Sequence, residues 1–314
     1  MRKKILCIDI GGSKILTGVM DEEGRVLASH KMLFHNPTKK QVAEAILAES
    51  AAVLTSAEWK GDGTEEIDAI GVSIPGIADP DNGLWVYAPF SQIRAFDVRS
   101  LLMKQYGKPV FLGNDGNLCT LGEKKFGLAK DVSDFMWVTV SNGIGSGVFL
   151  NNRMFEGFSK GAGELGHVKV VDYGAKCPCG SRGCLETYGA APGIVRRYLE
   201  LTGREEKMTA HEIGELARGG NREALRVFQD EGFYLGKAIA AAVNILNVPL
   251  VVIGGGVAGS FDLFEPSLKA TLENFLYLGA NAGLRVVKTA LGYEASLIGA
   301  GTCALSGLEK EGSI

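Results

Sequence analysis

Four side chains able to bind a soft metal follow one another at the spacing H-x9-C-x-C-x4-C: His167, Cys177, Cys179 and Cys184. One imidazole and three thiols on short loops suit a tetrahedral zinc ion. Zinc can activate a water, or it can hold a loop in shape, and this spacing alone does not choose. The remaining cysteines, Cys7, Cys119 and Cys303, are scattered. In a secreted chain all six would suggest disulfides; in a cytoplasmic one the cluster reads as a metal site. Cys7 sits in an apolar strand pattern and reads as a small core residue.

Two aspartates stand where strands meet turns. Asp9 closes the apolar run KILCIDI just before Gly11 and Gly12. A carboxylate there can hold Mg²⁺, often through water, beside a triphosphate. It can equally accept backbone hydrogen bonds as a turn residue. Asp115 follows the apolar stretch PVFLGN and precedes a helical pattern at 116–127. It could act as a general base, or as the N-cap of that helix, and taken alone the cap leads.

Three apolar runs end in glycine turns: DIGGSK (9–14), SNGIGSG (141–147) and IGGGVAG (253–259). Without Cβ atoms, backbone N–H groups there can approach phosphate oxygens closely. One such turn alone is a tight corner. None is a Walker loop, and none has the full dinucleotide pattern in its strand–helix setting. Three in one chain, two of them in hairpins, are harder to dismiss as corners alone.

The elements that must position these groups are visible as apolar periodicity. KILCIDIGG, KILTGVMD and GRVLASHKM read as strands joined by glycine turns. Residues 39–56 have helical spacing, and 67–75 read as a buried strand. A second strand-rich unit starts near Asp134, where FMWVTVSNGIGSGVFLNNRMF resembles the first hairpins, so the architecture repeats. A long helix follows at 221–246, with Leu225, Phe228, Leu235, Ile239, Val243 and Leu246 on one face. PLVVIGGGVAG reads as a strand turning into a helix, and a last helix is expected from about Glu294 to Leu308.

Composition limits the possibilities. The 314 residues are 46% hydrophobic and 22% charged, with a formal net charge of −3. That supports a substantial core and either two moderate domains or one large one. No basic run marks nucleic acid or an anionic membrane as a main partner. The longest apolar stretches are too short to span a bilayer. The basic and apolar N-terminus is broken by Asp9 and lacks a cleavage pattern, so it reads as the first strand of a cytoplasmic protein.

Taken in order, the motifs resemble the ROK family of sugar kinases and sugar-responsive regulators. They are DIGGSK at 9–14, IPG at 74–76, NDGN at 114–117, GIGSG at 143–147, GAGELGH at 161–167, CPCGSRGCLE at 177–186 and IGGGVA at 253–258. The resemblance covers essentially the whole chain. It implies an α/β fold of two actin-like (ribonuclease H-like) domains flanking an active-site cleft. The expected division is residues 1–113, completed by a C-terminal helix at about 295–314, and residues 114–294 with the zinc-bound loop. It implies ATP and a sugar as ligands, Mg²⁺ and structural Zn²⁺ as cofactors, and a dimer or tetramer.

By this resemblance Asp115 is the catalytic base, and Gly76, Asn114, Glu164, His167 and Glu186 bind the sugar. Asp9, Gly11, Gly12, Ser13 and Lys14, with Gly143 and Gly145, serve the phosphates. Gly254, Gly255 and Gly256 lie beside the adenosine. Phosphoryl transfer to a hydroxyl needs a proton acceptor and otherwise positioning and charge neutralisation, which suits Asp115. His167 would offer one ring nitrogen to zinc and the other to the sugar. Four protein ligands leave no open position, so the zinc is expected to be structural.

The chain departs from the family pattern at Phe90, where related kinases carry a sugar-contacting Asn. Gly113 and Gly116 also replace commoner residues, and Ser13 stands for a frequent Thr. The sugar therefore stays open among glucose, an epimer, an N-acylated hexosamine, a ketose and a glycoside. The competing expectation is a catalytically weak sugar-binding sensor of the same family. A DNA-binding regulator is disfavoured, because Asp9 leaves no room before it for a helix-turn-helix.

Overall fold

The computed structural model describes residues 2–34, 37–61, 63–88 and 93–311. It contains two compact units, residues 1–131 with 290–314, and residues 132–289. Phe90 lies outside the described residues.

The first unit opens with an antiparallel meander of β1 (Lys4–Ile10), β2 (Lys14–Asp21) and β3 (Val26–Leu33). The Gly11 N–H donates to the Lys14 carbonyl at 2.8 Å and closes the first turn. Helix α1 (Lys39–Leu54) begins with a capping box of Thr38 and Gln41. Strand β4 (Ala69–Ile74) is buried along its whole length, as a strand covered on both faces must be. A small antiparallel sheet follows, of β5 (Ile77–Asp79), β6 (Leu84–Ala88) and β7 (Ile93–Asp97). Then come α2 (Val98–Tyr106), β8 (Val110–Asn114) and α3 (Asp115–Phe126). The main sheet has the order β3-β2-β1-β4-β8, with β1, β4 and β8 parallel.

The second unit repeats this plan. Strands β9 (Phe135–Val140), β10 (Ile144–Leu150) and β11 (Arg153–Met154) form its meander. Helices α4 (Leu185–Gly189), α5 (Ala191–Thr202), α6 (Ala210–Arg218) and α7 (Arg222–Leu246) lead to β12 (Leu250–Gly254). Helix α8 (Phe261–Phe275), the short α9 (Leu278–Asn281) and β13 (Arg285–Lys288) complete it. The sheet order is β11-β10-β9-β12-β13, again antiparallel then parallel. This is the actin-type topology, present twice.

Helix α10 (Ala295–Glu311) then returns to the first unit. Alternation along β1 explains where it packs. Leu6, Ile8 and Ile10 join the core that includes α1 and α2, whereas Ile5 and Cys7 join Leu297, Ile298 and Ala300 of α10. The expected division after Gly113 is corrected to one after Asp131. The reason is that α3 packs on α10: a Cβ at Gly299 would stand 2.4 Å from the Leu118 carbonyl oxygen, so only glycine admits that approach. Among the described residues no helix is long and apolar enough to cross a membrane.

Candidate functional site

In the first unit the predicted residues gather at the ends of β1, β4 and β8. Asp9 is 6% exposed, and register places it beside Leu16 of β2 and Ser73 of β4. Ser73 Oγ donates to its Oδ1 and Ser296 Oγ to its Oδ2, each at 2.8 Å. Burial pushes the Asp9 carboxyl above its ordinary range, against the two hydroxyls and the nearby charge of Lys14. Gly11, Gly12 and Ser13 form the turn into β2, and the Phe34 N–H donates to the Ser13 carbonyl at 3.0 Å.

Adjacent residues divide the work at the start of α3. Asn114 is the N-cap, with extended backbone and with Oδ1 accepting from the Asn117 N–H at 3.2 Å. Its Nδ2 donates to the Gly76 carbonyl and to Asp115 Oδ1, both at 3.0 Å. The Gly116 N–H also donates to Asp115 Oδ1, at 2.9 Å. The cap is thus Asn114, and Asp115 is the first residue of the helix. Cys119, buried in the same helix, is held well above the ordinary thiol range by that burial and by the charges of Asp9 and Asp115. It stays a neutral thiol and not a nucleophile.

In the second unit, the turn between β9 and β10 is closed by the Ser141 N–H donating to the Gly143 carbonyl at 2.9 Å. Glu186, in the first turn of α4, reaches this turn and accepts from the Ile144 N–H at 3.1 Å. A Cβ at Gly143 would lie 2.8 Å from Glu186 Oε2, so a larger residue there would push the carboxylate from this position. Gly145 pairs with Thr139 across the hairpin.

Glu164 caps and His167 ends a single 3-10 turn, Leu165–His167. His167 Nε2 lies 3.8 Å from Glu164 Oε2, and its Nδ1 lies 3.8 Å from Cys177 Sγ. Cys179 and Cys184 sulfurs are 3.7 Å apart, and all four ligand atoms lie within 4.8 Å of one another. Three sulfurs and one nitrogen converging so closely fit a tetrahedral zinc ion, with Nδ1 as the nitrogen ligand. Lys169, unforeseen in the sequence, donates to Cys184 Sγ at 2.9 Å. With zinc bound the sulfurs would be thiolates, and this cation would offset part of their negative charge.

The second unit also contains a cavity of about 220 Å³ lined by Ser141, Asn142, Ala191, Thr209, His211, Phe228 and Gly256, among others. Of the three glycines expected beside the adenosine, only Gly256 lines it. Gly254 is buried against the Trp137 indole, and Gly255, at φ +87°, packs on the Val140 carbonyl. Thr209 and His211 were not singled out from the sequence. Thr209 signals only a helix start there, through its capping box with Glu212.

Comparisons with known proteins place the whole chain in a family. Residues 5–306 match the ROK family. The glucokinase of Thermotoga maritima is 31% identical over 316 residues, covering 95% of this chain and 96% of that enzyme. The xylose repressor of Bacillus subtilis is 32% identical over 230 residues, 73% of this chain; the aligned part spans 59% of the repressor's length. Among solved structures, a ROK family glucokinase from Streptomyces griseus in complex with glucose and AMPPNP superposes with a TM-score of 0.86. It is 27% identical, and the match covers 98% of this chain and 100% of that one.

Proposed function

The chain belongs to the ROK family, and from that premise we propose that it transfers the terminal phosphate of ATP to a sugar hydroxyl. The observation that carries this reading is the division of labour at Asn114 and Asp115. With the helix cap supplied by Asn114, the Asp115 carboxylate is a residue for chemistry and not for capping.

Asp115 accepts the proton of the sugar hydroxyl as its oxygen attacks the γ-phosphorus and the bond to the ADP oxygen breaks. Asn114, Glu164, His167 and Glu186 bind the sugar hydroxyls, and the Gly76 carbonyl fixes the Asn114 amide. Backbone N–H groups of the two glycine hairpins bind phosphate oxygens, together with Lys14. Adenosine occupies the cavity beside Ser141, Phe228 and Gly256. Asp9 would carry Mg²⁺ through water, since both its oxygens already accept hydroxyls yet keep further lone pairs. Magnesium supplies charge neutralisation. His167, Cys177, Cys179 and Cys184 would hold zinc in a closed, structural site.

The test is ADP release from Mg·ATP across hexoses, N-acetylhexosamines, ketoses and β-glucosides, with Asp115→Asn as control. One sugar that gives turnover in the parent and not in the variant supports the reading and names the substrate class. The similarity to a xylose repressor favours a second reading, a sugar sensor with weak catalysis. Silence across the panel, with one sugar still raising Tm, would favour that sensor.

A further inference from the structure

One short segment clasps both ends of the first glycine hairpin. Register places Asp9 and Lys31 each opposite Leu16, and Lys14 lies two residues before Leu16. All three side chains therefore share one face of the sheet, the face α10 covers. Tyr293 lies in the turn just before α10, and Ser296 is in the first turn of that helix. Ser296 holds Asp9, as described above. Lys14 Nζ donates to the Tyr293 hydroxyl at 2.7 Å and lies 4.1 Å from the ring centroid. Lys31 Nζ lies 5.4 Å from the same centroid.

Two ammonium groups around one phenol repel each other. The ring face and hydroxyl offset part of that repulsion. Arg2, Lys4, Arg25, His30, Lys40 and Lys125 form ion pairs in this unit with other carboxylates. Asp9, on the same face, offers Lys14 a single negative charge, which the two ammonium groups together exceed. Burial pushes the Tyr293 phenol up, but hydrogen bonds and charges from Lys14 and Lys31 outweigh it and hold the group below its ordinary range. An arriving polyanion would complete the arrangement.

We propose that Tyr293 is a positioning residue that aims the Lys14 ammonium, and that Lys31 is a second cation of the same site, both serving the terminal phosphates of the nucleotide. This deepens the kinase reading and rests on it. An ammonium has three N–H donors, so the bond to Tyr293 leaves two for phosphate oxygens. The phenol also holds the long lysine side chain in one place before the nucleotide binds, which lowers the ordering cost at binding.

The experiment compares the full chain with Tyr293→Phe, Lys31→Met and, as reference, Lys14→Met. ADP release is measured against Mg·ATP and, separately, against sugar. Inorganic tripolyphosphate is titrated directly by calorimetry. Tyr293→Phe should raise KM for Mg·ATP about tenfold, leave KM for sugar unchanged and weaken tripolyphosphate by a similar factor. Lys31→Met should raise KM for Mg·ATP about threefold. The Phe variant keeps the ring over Lys14, and Tyr293 is 55% exposed, so the fold should hold. Lys31→Met, at an exposed position, gives an independent arm should it not. The proposal is overturned if both variants bind tripolyphosphate like the parent, or if Tyr293→Phe shifts both KM values equally. An inactive parent would instead sink the kinase reading, and the tripolyphosphate titration would still judge Tyr293 and Lys31.

Discussion

The two glycine hairpins occupy the same place in two sheets of the same order, yet they are equipped differently. The first carries its charges itself: Asp9 at the end of β1 and Lys14 at the start of β2. The second, VSNGIGSG, has no charged residue and borrows one, Glu186 of α4, which grips the Ile144 N–H. Apolar alternation and turn chemistry suffice to repeat a topology. What a strand end can do depends on the side chains placed there and on the element that covers them. In the first unit that cover is the start of α10 with the turn before it, and in the second it is the loop bearing the His–Cys cluster, with α4.

Substitutions can break this comparison, beginning with the largest effect. Asp115→Asn should lower turnover about a thousandfold while a sugar still raises Tm; turnover close to the parent's would refute the assigned base. Losing the borrowed side through its metal should come next. Metal analysis should find about one zinc per chain, and Cys184→Ser should lose it. Because Cys184 immediately precedes α4, that variant should raise KM for sugar about tenfold or more with little change in KM for Mg·ATP. Equal shifts in both would mean that the metal supports the whole unit and not the sugar side alone.

A smaller effect separates the two glycines of the second hairpin. Gly143→Ala places a Cβ 2.8 Å from Glu186 Oε2, whereas at Gly145 the nearest atom is 3.5 Å away, on Thr139. The first should raise KM for sugar about fivefold, an energy of about 1 kcal/mol, and the second should be nearly neutral in the same assay. A further effect, on stability and not on KM, is the pH dependence. Glu231 is fully buried beside Arg197, at 3.2 Å, and its carboxyl is pushed up to about 8 by that burial. A folded-state value raised above the unfolded one means stability present at low pH and lost as pH rises from about 4.5 through about 8. Tm followed across that window should fall for the parent and flatten for Glu231→Gln.

Much of this architecture was legible in residue order. KILCIDIGG and VTVSNGIGSG declare hairpins by alternation and glycine, and the His–Cys spacing declares a metal cluster. What escaped depends on contacts between distant residues. The bond from Glu186 to Ile144 joins positions 42 apart, and no local pattern marks it. The boundary placed after Gly113 missed that α3 rests on α10, an approach set by Gly299 near the far end of the chain. Asn114 and Asp115 are both good caps by type, and only the extended backbone of Asn114, at ψ 141°, decides between them. Tyr293 and Lys31 looked like ordinary surface residues because their meeting requires three separate segments to converge on one face.

The return of α10 also has a consequence for synthesis. The second unit is one continuous stretch and can fold as soon as it leaves the ribosome. The first is interrupted by it, and its sheet waits for a helix made only after the whole second unit. Until Tyr293 and Ser296 emerge, Asp9 has one of its two hydroxyl partners and Lys14 lacks its phenol. The nascent chain thus completes the hairpin assigned to the nucleotide only at a late stage of its own manufacture. The unit begun first is finished last.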